Sequence, residues 1–576
     1  MASACLFLLG CRSGERRSPL LEFENDFLQS YFQFHPPAAA RAGLQQFQGR
    51  LGDWSERAIA RRRDELARML LRVLALQSEP LSWPQQAESR VVEYAIRDEL
   101  AEWSIWRSWR HNPAIYAEIP LRTLHRAVYF PGQPASQRLE GVLISLTEMD
   151  SVMAAMRANV TELSALSLQA GLDRCRRLRS LLADDLTNWA PQAAGVDLEL
   201  ARNFSGALPL ALNSVDESLR WLKEHTPAST VAPVALGPEK FIMKVLFQSM
   251  AEIRLSELEQ MAAARMERDR EALAAVVARQ APGSPPAEAL ARILGPPVPE
   301  SRRLSAARGA AEEARGFVAR RRLVPLPGEI AGSPAYLIQP MPAYLRSPAL
   351  LGWFEEPPVQ ENRARNGVWL VGGPLSAWPP PDRAAAATLA SEADLRWDAV
   401  FYLVPGLYLH SLHTAAYRSD AGRLIPERVL VNRVTREGWA AYAEEMMWEA
   451  GFGRDDPRME FALRRRALIR DCRFVAAVGI HARKMSLAEA ARMFIEQALL
   501  PAAAAAREVR AVALDPLQLA PALGKALILR LREDFYRASG RRDPAAFHEA
   551  FLRYAPLPAP LIREALLENR QRGSTP

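Results

Sequence analysis

Cysteine is scarce: Cys5, Cys11, Cys175 and Cys472 are the only four in 576 residues, and no two stand at the short spacing of a zinc or redox pair. A disulfide framework is thereby excluded. No uninterrupted apolar run reaches the roughly 18 residues that a membrane-spanning helix needs, so no transmembrane span is expected. No Gly-x-Ser-x-Gly elbow, phosphate loop or dinucleotide fingerprint occurs in a fitting context. The segment "WLVGGPL" has two glycines but lacks the third glycine and the helix opening that a phosphate-cradling loop requires. No repeat of about 20 to 50 residues is present, which excludes a solenoid. Lysine is also rare, the basic residues being nearly all arginine.

What is present is ordinary globular material, with 49% apolar and 24% charged residues, a composition that excludes disorder and fibrous classes. The net charge of +7 and pI near 9.3 raise the question of nucleic acid, whose phosphates a basic face would neutralise. The distribution answers it. Runs such as Arg61-Arg62-Arg63 and Arg464-Arg465-Arg466 lie in helix-like segments beside acids, without interleaved stacking aromatics. They read as solvated helix faces, and no nucleic-acid partner is expected. Near the start, "CLFLLGC" resembles a lipobox ending at Cys11, although "MASA" carries no positive charge and the apolar stretch is short. A true lipobox implies a lipid anchor at Cys11 and a cell-envelope or periplasmic location; otherwise the chain reads as cytoplasmic. Residues 1–19 are accordingly set apart as a truncated signal or tether.

Beyond residue 20 the helical period dominates. In "DWSERAIARRRDELARMLLRVLAL", Ile59, Leu66, Leu70, Val73 and Leu74 recur on one face, with Ser55 or Asp53 available as the cap. "SLAEAARMFIEQALL" carries a capping box in Ser486 and Glu489 and is stopped by Pro501. Short aromatic-rich runs bounded by Gly and Pro, "PAYLIQP" and "GVWLVGGP", predict a few short strands within residues 323–380. The Pro-rich segment at 280–300 marks the expected division into an N-terminal helical half, 20–300, and a C-terminal half, 301–576.

The chemistry-bearing region is "FYLVPGLYLHSLHTAA" at 401–416, followed by "EGWAAYAEEMMWEAGF" from Glu437, "RFVAAVGIH" ending at His481 and "DPLQLAPALGK" ending at Lys525. Their order and spacing resemble the bacterial family called domain of unknown function 885. Further segments of the same resemblance are "FLQSYFQFHPPAAARAGL", "GRLGDWS", "LGPEKF" and "DPAAFHEAFL", so it extends over about residues 20–570. The resemblance implies a mainly α, gluzincin-like zinc-metallopeptidase fold with a deep cleft, and a central motif His-Glu-x-x-Pro-Gly-His. In that motif two imidazoles and a later Glu hold Zn²⁺ while the first Glu takes a proton from the metal-bound water.

Aligned on the retained Pro405 and Gly406, this chain has Phe401 and Leu407 at the two histidine positions and Tyr402 at the glutamate. Phe and Leu offer no lone pair, and a phenol of pKa about 10 is a poor base near neutrality. Ala477 replaces a supporting Asp before His481, and Pro521 replaces a Tyr before Lys525. Glu437 and His481 are retained. The resemblance therefore implies a non-catalytic homologue, a pseudoenzyme without zinc or other cofactor, whose cleft binds a peptide or small molecule or serves a regulatory partner. The alternative is an active metal-dependent peptidase with rearranged ligands, drawing on His410, His413, His481 and Glu437. His410 and His413 stand at i, i+3 on a predicted helix and so could share a face. Each also has a plain packing role open to it, and Glu437 could simply pair with an arginine.

Overall fold

The computed structural model describes residues 18–568 except 131, 226–233, 329–335, 346–351, 359–365, 373–382, 384–386 and 419–423. Cys5 and Cys11 lie outside the described residues; Cys175 and Cys472 are buried free thiols. The fold is mainly α, as the periodicity predicts, with a single three-stranded sheet among the described residues.

Local chemistry sets the helix boundaries. Glu56–Gln77 starts where the Ser55 hydroxyl accepts from the Ala58 N–H at 3.2 Å, while Asp53 instead accepts from the Ser55 N–H. Of the predicted stripe, Ile59, Leu66 and Val73 are buried but Leu74 is exposed. The inward position at 62 is taken by Arg62, which makes a two-pronged pair with Glu99 at 2.8 and 2.9 Å. Leu487–Ala498 carries the predicted reciprocal Ser486–Glu489 cap. It ends one turn before Pro501, at Leu499 in the left-handed region (φ 55°), and Pro501 opens the helix Ala502–Leu514.

The predicted strands form β1 (Tyr336–Pro340), β2 (Gly352–Glu355) and β3 (Gly367–Val371), ordered β1-β3-β2 with β3 parallel to β1 and antiparallel to β2. Side chains on a strand alternate between faces, and β3 uses both. Val368 and Leu370 join a core built from residues 20–222, whereas Trp369 and Val371 join a second core built mainly from residues 241–566. The sheet is thus a partition between two helical bodies. Trp83–Ala101 does the same as a helix, sending Val92 and Ile96 to the first core and Ala87 and Val91 to the second.

Core membership passes from the first core to the second between Leu222 and Phe241. The prolines at 280–300 break the helix, giving Leu255–Gln280, Pro286–Leu294 and Glu300–Arg321. The apolar faces of all three nevertheless continue into the second core, through Leu273, Leu290 and Ala311 among others. A backbone break is a local event, whereas core membership follows the apolar face. Among the described residues, no single helix is long and apolar enough to cross a membrane.

Candidate functional site

The motif segment folds as a helix, a tight turn and a second helix. Glu392–Tyr402 ends with Phe401 and Tyr402, the turn runs through a cis Val404–Pro405 bond, and Leu407 begins Leu407–Ala416. Gly406 is needed by this geometry, and the Pro405 backbone ties the turn to a neighbouring helix. The Pro405 carbonyl accepts from the Trp439 indole N–H at 2.8 Å, and a Cβ on Gly406 would lie 1.9 Å from the Phe401 carbonyl oxygen.

The side chains flanking the turn are occupied with packing. The Arg470 guanidinium lies 5.1 Å from the Phe401 ring centroid. The Tyr402 hydroxyl donates to the Gly352 carbonyl at 2.9 Å, across a contact so close that a Cβ on Gly352 would lie 2.5 Å from the Tyr402 ring. Burial, reinforced by Asp398, pushes this phenol well above its ordinary value, so it stays protonated. Leu407 is buried.

Glu437 stands on Arg433–Glu449, and its carboxylate is held by Arg433 at 2.9 Å and Arg436 at 3.6 Å. Arg433 continues to Asp515 at 2.8 Å, and Arg436 continues to Glu356, just beyond β2, at 2.8 Å. A chain of alternating charges, Asp515–Arg433–Glu437–Arg436–Glu356, therefore crosses the site. Beside it Arg473 grips Glu508 with two bonds of 2.6 and 2.8 Å. Deeper, Arg466 and Arg470 converge on the fully buried Glu444 and hold its carboxyl below the usual range against the opposing effect of burial. Of these arginines only Arg466 was named from the sequence, in a run expected to be a solvated helix face, whereas Arg465 is buried and Arg466 turns inward to Glu444 and Asp398. The signal for two others is local: Arg433 precedes Glu437 by four residues and Arg436 adjoins it.

The other candidates point elsewhere. His410 is fully buried, its Nδ1 3.4 Å from the Thr414 hydroxyl, and burial lowers its pKa to about 3, so the ring is neutral. Nε2 of His413 donates to the Pro325 carbonyl at 3.2 Å. Nε2 of His481 donates to the Val512 carbonyl at 2.9 Å, and the ring stacks on Phe241. The Lys525 ammonium lies 2.7 Å from Glu445 and is the foremost cause that brings that carboxyl down to about 2. Ala477 is fully buried on the helix that carries His481, and Pro521 occupies the first turn of Ala520–Ser539. The rearranged set His410, His413, His481 and Glu437 is not brought together. Two of the imidazoles spend a nitrogen on a backbone carbonyl, His410 turns into the core, and Glu437 is taken by arginines. Among the described residues no group of three or more His, Cys, Asp or Glu side chains is placed to hold a metal ion.

A cavity of about 410 Å³ opens where Pro19–Phe34 and Trp83–Ala101 meet the segment leading to Arg433. Aromatic rings of Tyr31, Tyr94 and Trp103 line it together with Asp98, Glu99 and Arg433. Burial raises the Asp98 carboxyl to about 6, and its Oδ1 has no hydrogen-bond partner. Glu99, by contrast, is brought down to about 2 because His35 and then Arg62 outweigh its burial. The cavity therefore offers one carboxyl that titrates near neutrality and one that stays ionised.

A family model described as bacterial protein of unknown function (DUF885) matches residues 36–566. Two solved structures share the fold. One, from Shewanella oneidensis and described as "a putative lipoprotein of unknown function", has a TM-score of 0.74 at 19% identity, covering 96% of this chain and 100% of its own. The other, from Colwellia psychrerythraea and described as "the putative lipoprotein", has a TM-score of 0.77 at 16% identity, covering 97% of this chain and 100% of its own. No curated protein matches the chain.

Proposed function

The chain belongs to the DUF885 family of bacterial proteins of unknown function, and from that premise we propose that it is a non-catalytic member built on a zinc-peptidase-like scaffold, with a cleft that binds a peptide or small ligand. The observation that carries this reading is the fate of the motif turn. Its bend is kept by Pro405 and Gly406, while Phe401, Tyr402 and Leu407 fill the positions where a gluzincin would place its donors, and all three are engaged in packing. Glu437 has two guanidiniums, those of Arg433 and Arg436, on its Oε1, where they compete with a cation for the carboxylate. The cavity beside Arg433, with its aromatic rings and polar groups, supports binding of a small ligand.

The test is elemental analysis of protein purified without chelator, together with a peptide-cleavage assay in added Zn²⁺. Sub-stoichiometric zinc and no cleavage are expected. One zinc per chain, with cleavage abolished by Glu437→Ala, would overturn the reading. Combining Phe401→His, Tyr402→Glu and Leu407→His is expected to create zinc affinity, since the turn that would present those donors is already formed.

The lipobox-like run ending at Cys11 supports a lipid-anchored, cell-envelope location, and the descriptions of the two structural neighbours support it as well. Cys11→Ala is expected to move the protein from the membrane fraction to the soluble fraction. An unchanged distribution would count against the anchor.

A further inference from the structure

We propose that a second cavity, lined by Arg41, Arg122, Arg126 and Arg138, is a binding site for a phosphate monoester. This goes beyond the cleft reading and does not depend on it. The cavity measures about 110 Å³ and lies among Pro36–Ala42, Ala114–Tyr129 and Ala135–Asn159, closed on one side by Glu355 at the end of β2. A water occupies about 30 Å³ of liquid, so the space suits an oxyanion and the first atoms of what carries it. It is too small for a nucleic-acid strand.

The charge balance carries the inference. Among the described residues four guanidiniums line this cavity against one lining carboxylate, Glu355, which accepts from the Trp353 indole N–H at 2.7 Å and lies 3.6 Å from His125 and 3.8 Å from Arg126. Arg122 has a second acid in Glu118, but Glu118 is shared with Arg174 at 2.8 Å. Among the described residues, the pairing of Arg122 with Glu118 and of Arg126 with Glu355 leaves Arg41 and Arg138 as the cavity's guanidiniums without a carboxylate. Arg41 is exposed to the cavity and makes no hydrogen bond or ion pair among the described residues. Arg138 donates to the carbonyls of Ala127 and Val128 at 2.7 and 3.0 Å, has no carboxylate partner among the described residues, and leaves its Nε unsatisfied. Arg126 lies over the Phe130 ring at 4.1 Å, is 3.8 Å from Glu355 and donates to the Glu356 carbonyl at 3.3 Å.

Guanidiniums of one sign gathered around a cavity repel one another, and a bound anion removes that cost. A phosphate monoester carries about −1.5 to −2 at pH 7 and accepts several charge-assisted bonds, matching the leftover charge and the fork geometry of arginine.

Calorimetric titration of the full chain with inorganic phosphate at low salt tests this. One saturable site is expected, weakened at least tenfold by Arg41→Gln, with the ligand-free melting point held or raised as the repulsion is relieved. Glu355→Gln is expected to tighten binding by removing the opposing charge while leaving an oxygen for Trp353. Parallel arms with glycerol phosphate and a phosphoserine peptide separate a small metabolite from a modified protein segment, and tighter binding of either supports the site. No saturable heat with phosphate, equal affinity in Arg41→Gln, or binding of succinate while phosphate is silent would overturn it. None of these readouts involves zinc or peptide cleavage, so failure here is distinguishable from failure of the cleft reading.

Discussion

Replacing Glu444 by alanine removes the carboxylate on which two buried arginines converge. Glu444 is 0% exposed. It accepts from Arg466 at 2.9 to 3.0 Å and from Arg470 at 2.8 Å with a second, shorter bond. Arg466 keeps Asp398 at 2.8 Å after the change, but Arg470 loses its carboxylate while still lying beneath the Phe401 ring. Breaking a buried pair costs about 3–5 kcal/mol because it strands a charge away from water, whereas an exposed pair costs about 0–1 kcal/mol. Urea unfolding followed by tryptophan fluorescence reports directly, since Trp439 sits on the same helix. A loss of about 3 kcal/mol or more is expected near neutral pH. The double change Glu444→Leu with Arg470→Met should recover most of it, because a well-packed apolar replacement of a buried pair is often neutral.

The pH dependence follows from the direction of the shift. The Glu444 carboxyl is held below its ordinary value in the fold. Its stabilisation is therefore fully present above the unfolded pKa of about 4.3 and is lost as pH falls through the lower folded value. The gap between wild type and Glu444→Ala should narrow only below about pH 4. A cost under about 1 kcal/mol, or a gap that closes nearer neutrality, would refute the assignment of a buried, charge-bearing pair.

Two further outcomes are expected. Asp98, raised to about 6 by burial, binds its proton more tightly folded than unfolded, so it withdraws stability as pH rises from about 4 through its folded value. Asp98→Asn should flatten the stability profile across that window, and an unchanged slope in pH-resolved melting would contradict the assignment. Gly406→Ala places a Cβ 1.9 Å from the Phe401 oxygen and should collapse soluble yield or depress the melting point sharply. Gly309→Ala, within Glu300–Arg321 where an added Cβ meets nothing within 4 Å, should stabilise by about 0.5–1 kcal/mol. Equal melting points for the two glycine variants would refute the close-approach account of the turn.

Much of the fold was legible because it is decided locally. Capping residues such as Ser55, Ser486 and Glu489 satisfy backbone groups within three residues of themselves, so they mark helix starts without reference to the rest of the chain. The short apolar runs that became β1 and β3 carry their bounding Gly and Pro with them. The bend at Pro405-Gly406 is likewise local, and so is the arginine available to Glu437 four residues away.

What only the tertiary structure decided depends on partners distant in sequence. Arg90 pairs with Glu564, Arg265 with Asp471, and Arg433 with Asp515, at separations of 474, 206 and 82 residues. No spacing rule reaches so far. The directions of His410, His413 and His481 belong to the same class. A shared helix face at i, i+3 permits convergence, yet burial, the Pro325 carbonyl and the Val512 carbonyl each claim one ring. The four arginines of the small cavity come from three helices and meet only once the sheet closes over them. By itself the sequence determined which segments are helices, which are strands and where the chain bends at Pro405 and Gly406. Which core each apolar face enters and which charge each carboxylate meets were decided only by folding, because burial and Coulomb energy depend on distances in space rather than along the chain.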